Sequence, residues 1–455
     1  MSHSTSNATY PRTAIPGPRG YPIVGVLPNM ARDLLGFLVS VSNQYDGLVR
    51  LRVGPRSMHL ITHPDAVKHI LQDNYRNYIK GYDAVERLLG QGLVTSEGEL
   101  WRRQRRLMQP AFHQRRVATL LDSMARQTTA MLTRWQAAAR DRQQLDLADE
   151  FMGLTRRIIV ATMFSTDIGD QAEAVGHAFA TTMEYLGRHV FNPLPLPEWL
   201  PTPATRRYQQ ALRLLDTVVY RIVAERRASS RSANDLLSML IDAQDAETGE
   251  QMTPKQVRDE VMTIFLAGHE TTATVLAWAC YTLAQHPPVE HRLREELASV
   301  LGGRTPELAD LPKLSYTRMV IDEVLRLYPP AWMFARRALA DDELGGYHLP
   351  AGAMVAISPY VTHRNPDFWE SPEHFDPERF EEARQAGRPR FAYHPFSGGP
   401  RVCIGNSFAL MEAQLILAML YQGFELALVP GRTVRPRPGS TLRPQPGVWM
   451  TIQKC

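Results

Sequence analysis

Apolar residues recur along most of this chain at three- and four-residue spacing, the mark of amphipathic helices, and strict alternation is confined to short stretches. The helical pattern runs over residues 99–187, breaks at 192–203, where five prolines cluster, and resumes over 204–246. Thr253, followed by Pro254 and Gln256, has the form of a capping box and opens a segment that continues to His286, where Pro287 and Pro288 stop it. The middle of that segment is apolar on nearly all sides, which predicts a long buried helix. Helices are also expected at 289–301, 315–328 and 403–422, and a short one starting from His63, Pro64 and Asp65. Short strands are expected at 48–53 and 58–62 about a Gly54-Pro55 turn, within 330–362, and at 424–429 and 448–452. Residues 363–400 carry Pro, Gly, Arg and aromatics without a period. The fold class is therefore mainly α with a minor β part. Strands from both ends of the chain argue for one interlocked domain over residues 1–455, led by a Pro-rich segment at 1–22.

A length of 455 residues would allow two or three domains at about 150 residues each, but no repeat, low-complexity tract or linker divides it. With 44% hydrophobic and 22% charged residues the chain is neither disordered, collagenous nor a coiled-coil rod. No apolar run reaches the roughly 18 residues of a membrane span, and the polar start lacks the cationic and apolar parts of a signal peptide. A cytoplasmic protein without a membrane anchor is expected. Cys280, Cys403 and Cys455 stand too far apart for a disulfide framework or a zinc pair. Cys280 reads as a core thiol, Cys455 as a free terminal one, and Met108, Met262 and Met419 as core packing. A net charge of +4 is too mild to suggest nucleic acid. Residues 101–116 nevertheless hold six arginines and no acid. That cluster reads as a solvated helix face or as a docking patch for an acidic electron carrier.

The chemistry concentrates in one string, Phe396-Ser397-Gly398-Gly399-Pro400-Arg401-Val402-Cys403-Ile404-Gly405. A cysteine where a glycine-rich loop meets a helix start faces amide N–H groups and the positive end of the helix dipole. Both lower a thiol pKa and favour the thiolate. Gly398, Gly399 and Gly405 would let the backbone approach a flat ligand, and Arg401 could pair with an anionic edge of it. The pattern FxxGxRxCxG resembles the haem-binding loop of the cytochrome P-450 family, the haem-thiolate monooxygenases. Further signatures of that family stand in order: WxxxR at Trp101 and Arg105, Ala267-Gly268-His269-Glu270-Thr271-Thr272, ExxR at Glu323 and Arg326, and Pro377-Glu378-Arg379-Phe380. The resemblance covers essentially the whole chain and is to soluble bacterial members.

It implies haem b, iron protoporphyrin IX, with Cys403 as axial ligand of the iron. Phe396, Gly405 and Ala267 are implied beside the haem, and Trp101, Arg105, Arg336 and Arg401 at its propionates. Arg336 and Arg337 are neighbours in a strand-like run and so point to opposite faces. Thr271 and Glu270 are the implied catalytic pair, the hydroxyl serving oxygen activation and the acid linking the site to solvent. Inside an apolar helix such groups are costly unless satisfied. Thr271 can bond to the carbonyl four residues back, and Gly268 would leave space above a flat cofactor. Glu323, Arg326 and Arg379 would form a buried charge network that holds the segment carrying Cys403.

The resemblance further implies that one oxygen atom of O2 enters a hydrophobic substrate. Electrons would come from NAD(P)H through separate partners, a ferredoxin with ferredoxin reductase or a flavodoxin. Tyr82, Val85, Leu88, Leu89, Leu93, Phe191, Phe265, Ala267, Trp332, Met333 and Phe334 are the candidate pocket. They are apolar and suit a terpenoid, a steroid-like molecule or a fatty acyl chain. Residues 336–352, RRALADDELGGYHLPAG, look most like members acting on terpenes and lipids. A peroxide-driven peroxygenase and a non-catalytic haem protein are the alternatives on the same fold, and the Glu270-Thr271 pair weighs against both.

Overall fold

The computed structural model describes residues 14–81, 86, 89–141, 143–164, 171–190, 200, 202–228, 235–245 and 247–455. The chain divides into two compact units: residues 1–81, 332–374 and 387–402, and residues 82–331, 375–386 and 403–455.

The first unit is built on a five-stranded sheet, ordered Leu48–Val53, Arg56–Ile61, Met354–Ile357, Phe334–Ala338 and Tyr78–Ile79. The hairpin about Gly54 and Pro55 forms as its alternation predicts, with Leu48 opposite Ile61 and Val53 opposite Arg56. Its second strand then runs parallel to residues 354–357, Met58 beside Met354 and Ile61 beside Ile357. The early strands therefore pair with the middle of the chain rather than with its end. Leu48, Ile61, Val67, Ile70, Val355, Ile357 and Phe391 make the core of this unit. His63 caps the short helix Pro64–Lys68, its Nδ1 accepting the Asp65 N–H.

The second unit is helical. Its axis is Pro254–Gln285, 32 residues and about 48 Å long, with both halves of the Thr253–Gln256 capping box in place. Helices Leu147–Phe164, Pro203–Ala228, Ser315–Leu327 and Asn406–Gly423 pack against it. Gly268 has a packing reason rather than the expected cofactor-side one. A Cβ there would lie 2.9 Å from Ile159 Cδ1, so the glycine admits the Leu147–Phe164 helix. The helical stretch after residue 98 is not continuous, but resolves into Gly98–Met108, Gln114–Val117, Leu121–Arg140, Leu147–Phe164 and Gln171–Val190. The tail strands Phe424–Leu428 and Trp449–Lys454 form a sheet with Gln144–Asp146. A further hairpin, Arg435–Pro438 with Leu442–Gln445, escapes sequence reading because Pro436, Pro438 and Pro444 disguise it. Among the described residues no helix is long and apolar enough to cross a membrane.

Candidate active site

Cys403 lies on the loop before the helix Asn406–Gly423 and keeps accessible surface. Burial pushes its thiol above the ordinary value; the Gly405 N–H and the Arg105 guanidinium pull the other way without prevailing. The two expected lowering influences are present, but burial outweighs them. A cation bound to the sulfur would reverse that balance, since metal coordination deprotonates a thiol outright.

The residues of the second unit fit such a group. Trp101 and Arg105 sit one turn apart on Gly98–Met108, Trp101 buried and Arg105 half-buried, its pKa lowered by burial. On the long helix, Ala267 is exposed and Thr271 half-buried between the buried stretches 261–265 and 272–280. A core helix thus opens at two small residues on one face. A Cβ on Gly405 would meet nothing within 4 Å, so that side of the loop is open too. A soft sulfur donor, an open small-residue face and an Arg–Trp pair for carboxylates suit haem. Gly398 and Gly399 are different. Their Cβ atoms would lie 2.3 Å from the Phe391 ring and 1.9 Å from the Leu71 carbonyl, and Gly399 has a φ of +64°. Packing within the first unit requires these two glycines.

Thr271 Oγ1 donates to the Ala267 carbonyl at 2.7 Å. Glu270 turns the other way. Its Oε1 accepts from Ser440 Oγ at 2.9 Å, Thr441 Oγ1 at 2.5 Å and Arg443 Nε at 3.0 Å. Burial raises this carboxyl, but the Arg443 charge and the three donors outweigh it and hold it below its ordinary range. Nothing in the sequence of the 435–445 hairpin points to residue 270. Glu412, on the helix after Cys403, was missed as well. It is wholly buried, neither oxygen makes a hydrogen bond of normal geometry, and burial pushes it up to about 8, with the Thr272 hydroxyl pulling back slightly. The available signal was an acid within the apolar run of residues 408–421.

The charge network forms around a fully buried Glu323. Arg326 grips it through two bonds of 2.6 and 2.7 Å, Arg379 approaches to 3.4 Å, and the Asp376 N–H donates to it at 2.9 Å. What it fastens directly is the turn Pro377–Phe380, to the helix Ser315–Leu327.

The other predicted residues are distributed more widely. Leu89 and Leu93 are buried, and the turn at 91–95 is tied to the foot of the long helix, where the Gln91 and Leu93 N–H groups donate to Asp259 and Glu260 at 3.0 and 2.9 Å. Phe265 does not share the open face of Ala267. Two residues apart on a helix is about 200° of rotation, and its ring stacks on Phe179 at 4.0 Å and lines a small apolar cavity with Phe164, Leu215 and Met262. In the first unit Trp332 is buried and its carbonyl accepts from Ser358 Oγ at 2.8 Å. Met333, Phe334, Phe396 and Arg401 are half-buried. Arg336 is buried, its guanidinium 5.1 Å from the Phe334 ring centroid. Tyr82, Val85, Leu88 and Phe191 lie outside the described residues. The arginine cluster is not one open patch. Arg102 pairs with Glu99, Arg103 with Glu250 at 2.9 Å, and Arg106 with Asp245 and Glu247 at 3.0 and 3.1 Å. Arg115 and Arg116 are exposed. Cys280, Met108, Met262 and Met419 are core residues.

Comparison with known proteins bears on the whole chain. The family model described as Cytochrome P450 matches residues 15–451. Cyclooctatin synthase of Streptomyces melanosporofaciens is 42% identical, the alignment covering 92% of this chain and 91% of that one. Pentalenene oxygenase of Streptomyces avermitilis is 37% identical, with 92% of each covered. The crystal structure of the cytochrome P450DA heme domain superposes with a TM-score of 0.90 at 28% identity, covering 97% of this chain and 98% of that one. Together with the exposed thiol and the opened core helix, these matches establish that the chain belongs to the cytochrome P450 family and is a haem b monooxygenase.

Proposed function

We propose that this enzyme oxygenates a terpenoid, with electrons from a ferredoxin and its reductase or from a flavodoxin. The carrying observation is the open, uncharged face at Ala267 and Thr271 on an otherwise buried apolar helix. A face of that kind recognises bulk and shape rather than charge. The similarity to a cyclooctatin synthase and a pentalenene oxygenase supports the terpenoid class.

Cys403 would hold the iron, and Trp101, Arg105, Arg336 and Arg401 the carboxylates of the haem. Haem held there would supply the activation of O2, so that, with two electrons from the partners and two protons, one oxygen atom enters the substrate and the other leaves as water. Thr271 spends its proton on the Ala267 carbonyl, so its oxygen lone pairs are free on the open face to accept from water or a reacting group. Glu270, ionised and held by Arg443, fixes a polar path between that helix turn and the half-exposed arginine. The exposed Arg115 and Arg116 are the part of the cluster suited to an acidic carrier, where opposite charge mainly speeds encounter.

Two measurements test this reading. The ferrous CO complex should show the strongly red-shifted Soret band of thiolate ligation, and Cys403→Ser should remove it; a histidine-like Soret in the unaltered protein would refute the ligand assignment. Cyclic terpene hydrocarbons and alcohols should shift the ferric spin state and be oxygenated with reductase and ferredoxin. Turnover confined to charged or peptidyl compounds would overturn the substrate class. Peroxide-driven turnover equal to that with redox partners would favour the peroxygenase alternative.

A further inference from the structure

The hairpin Arg435–Pro438 with Leu442–Gln445 sorts its two faces by alternation. Leu442 and Pro444 are buried and Pro436 and Pro438 half-buried, whereas Arg435, Arg437, Arg443 and Gln445 are exposed. The register sets Arg435 opposite Gln445 and Arg437 opposite Arg443, so the outer face carries three guanidinium groups. Residues 426–455 hold four arginines and Lys454 and no acid. The fourth arginine, Arg432, lies on the Trp449 ring, 4.3 Å from its centroid. Among the described residues neither Arg435 nor Arg437 makes an ion pair or a side-chain hydrogen bond.

Like charges set directly opposite each other destabilise a strand pair, so Arg437 and Arg443 gain nothing from facing each other. The platform beneath them is stiff. Trp278 Nε1 donates to the Leu442 carbonyl at 2.7 Å, the Leu442 N–H donates to the Pro330 carbonyl at 3.1 Å, and Pro436, Pro438 and Pro444 restrict the backbone. Arg443 is fixed as well. Its Nε and Nη2 bond Glu270 Oε1 at 3.0 and 2.9 Å, which leaves its Nη1 donors unspent. Residues two apart on a strand are about 7 Å apart and directly opposite residues about 5 Å. Three guanidinium groups are thus gathered within reach of one multiply charged oxyanion, on a surface ordered before any ligand arrives.

We propose that the outer face of this hairpin is an oxyanion site that takes a diphosphate group, free or at the end of a small organic molecule. Planar guanidinium forks match phosphate oxygens, and three of them suit two linked phosphates better than a single one. The face spans about 7 by 5 Å, far below the roughly 800 Å² that each partner contributes to a stable protein interface; a small ligand fits it and an acidic protein does not. Arg443 stands between the site and Glu270 and serves both. An anion outside shares the charge that holds Glu270, and a neutral side chain at 270 would leave that charge to the anion; the coupling is reciprocal. The site is independent of the terpenoid reading.

The test is titration calorimetry of the full-length, haem-loaded protein with diphosphate, at constant ionic strength. Saturable binding should appear with diphosphate and be much weaker with sulfate. Arg437→Gln should weaken it about tenfold, the loss expected for one charge-assisted partner, and the double variant Arg435→Gln, Arg437→Gln should abolish it. Both variants leave the inner face of the hairpin untouched and relieve a like-charge pair, so they should melt no lower than the parent and keep its haem spectrum. Arg207→Gln, exposed on the helix Pro203–Ala228, is the charge control and should bind as the parent does. Glu270→Gln should tighten binding about threefold, the effect of one charge removed at about 7 Å in water. A diphosphate monoester separates the two sources: tighter binding than free diphosphate assigns an organic ligand, equal binding the free ion. The proposal falls if diphosphate binds no better than sulfate, if the double variant binds as well as the parent, or if Arg207→Gln weakens binding as much as Arg437→Gln does. It falls too if an acidic ferredoxin, and not diphosphate, binds in a way that the double variant removes. Unchanged affinity in Glu270→Gln would overturn the coupling.

Discussion

The two faces of the long helix at residues 270–272 each carry a buried carboxyl, and the structure treats the two oppositely. Glu270 meets a guanidinium and two hydroxyls from the 435–445 hairpin and stays ionised. Glu412, delivered by the helix Asn406–Gly423 on the Thr272 side, meets one hydroxyl and is held protonated up to about pH 8. Burial is comparable, so burial does not set the charge; the partners do. Glu323 is a third case, fully buried and gripped by two arginines. A buried acid in this fold is thus a clasp when it has cations and a proton store when it lacks them.

This contrast can be broken from its strongest member downward. Glu323→Gln should cost about 3–5 kcal/mol, because Arg326 and Arg379 are left as uncompensated buried charges; denaturant unfolding of the haem-loaded enzyme reads it. Glu412→Gln should act in the opposite sense. The Glu412 pKa is raised in the folded state, so the native protein holds a proton that the unfolded chain releases above about pH 4.5. Stability therefore falls as pH rises from about 4.5 to 8, by up to about 1.4 kcal/mol per pH unit, and levels off beyond. The variant should flatten that slope in thermal melts taken at several pH values, and an unchanged slope would assign the pH dependence to other groups. Arg443→Ala should cost only about 1–2 kcal/mol, since the arginine is half-exposed. Glu270 is depressed in the folded state, so its contribution is present above about pH 4.5 and is lost as pH falls; without Arg443 the acid limb of stability should move up in pH. The smallest effect is expected for Thr272→Val, below about 1 kcal/mol, together with a further rise of the Glu412 pKa as its one polar neighbour is removed.

A different pairing shows how far sequence reading reached. The capping box at Thr253, the ends of the long helix and the first hairpin were legible because each rests on local rules: caps, proline stops and alternation. The thiolate loop was legible because its residues are contiguous. Gly268 and Gly399 were visible as glycines but misread in purpose, since the Ile159 side chain and the Leu71 carbonyl that demand them lie more than 100 and 300 residues away. Phe265 was offered for the pocket because it stands on the long helix; its ring stacks on Phe179, about 200° of helical rotation from Ala267.

The sequence by itself determined the family and the helical fold class, and it singled out Cys403 as the candidate sulfur donor and the acid–alcohol pair at 270 and 271 as the candidate catalytic pair. Those features are written in short motifs whose residues are neighbours along the chain or on one helical turn. Only the tertiary structure decided what surrounds each of them: that the cysteine sits off its helix and is pushed up by burial, that Glu270 faces Arg443, that Glu412 is left with a proton, and that half the arginine cluster is spent on ion pairs. The physical reason is that a charge state or an exposed face depends on groups brought close in space, and the pairing of residue 270 with 443 or 412 with 272 has no local trace to read.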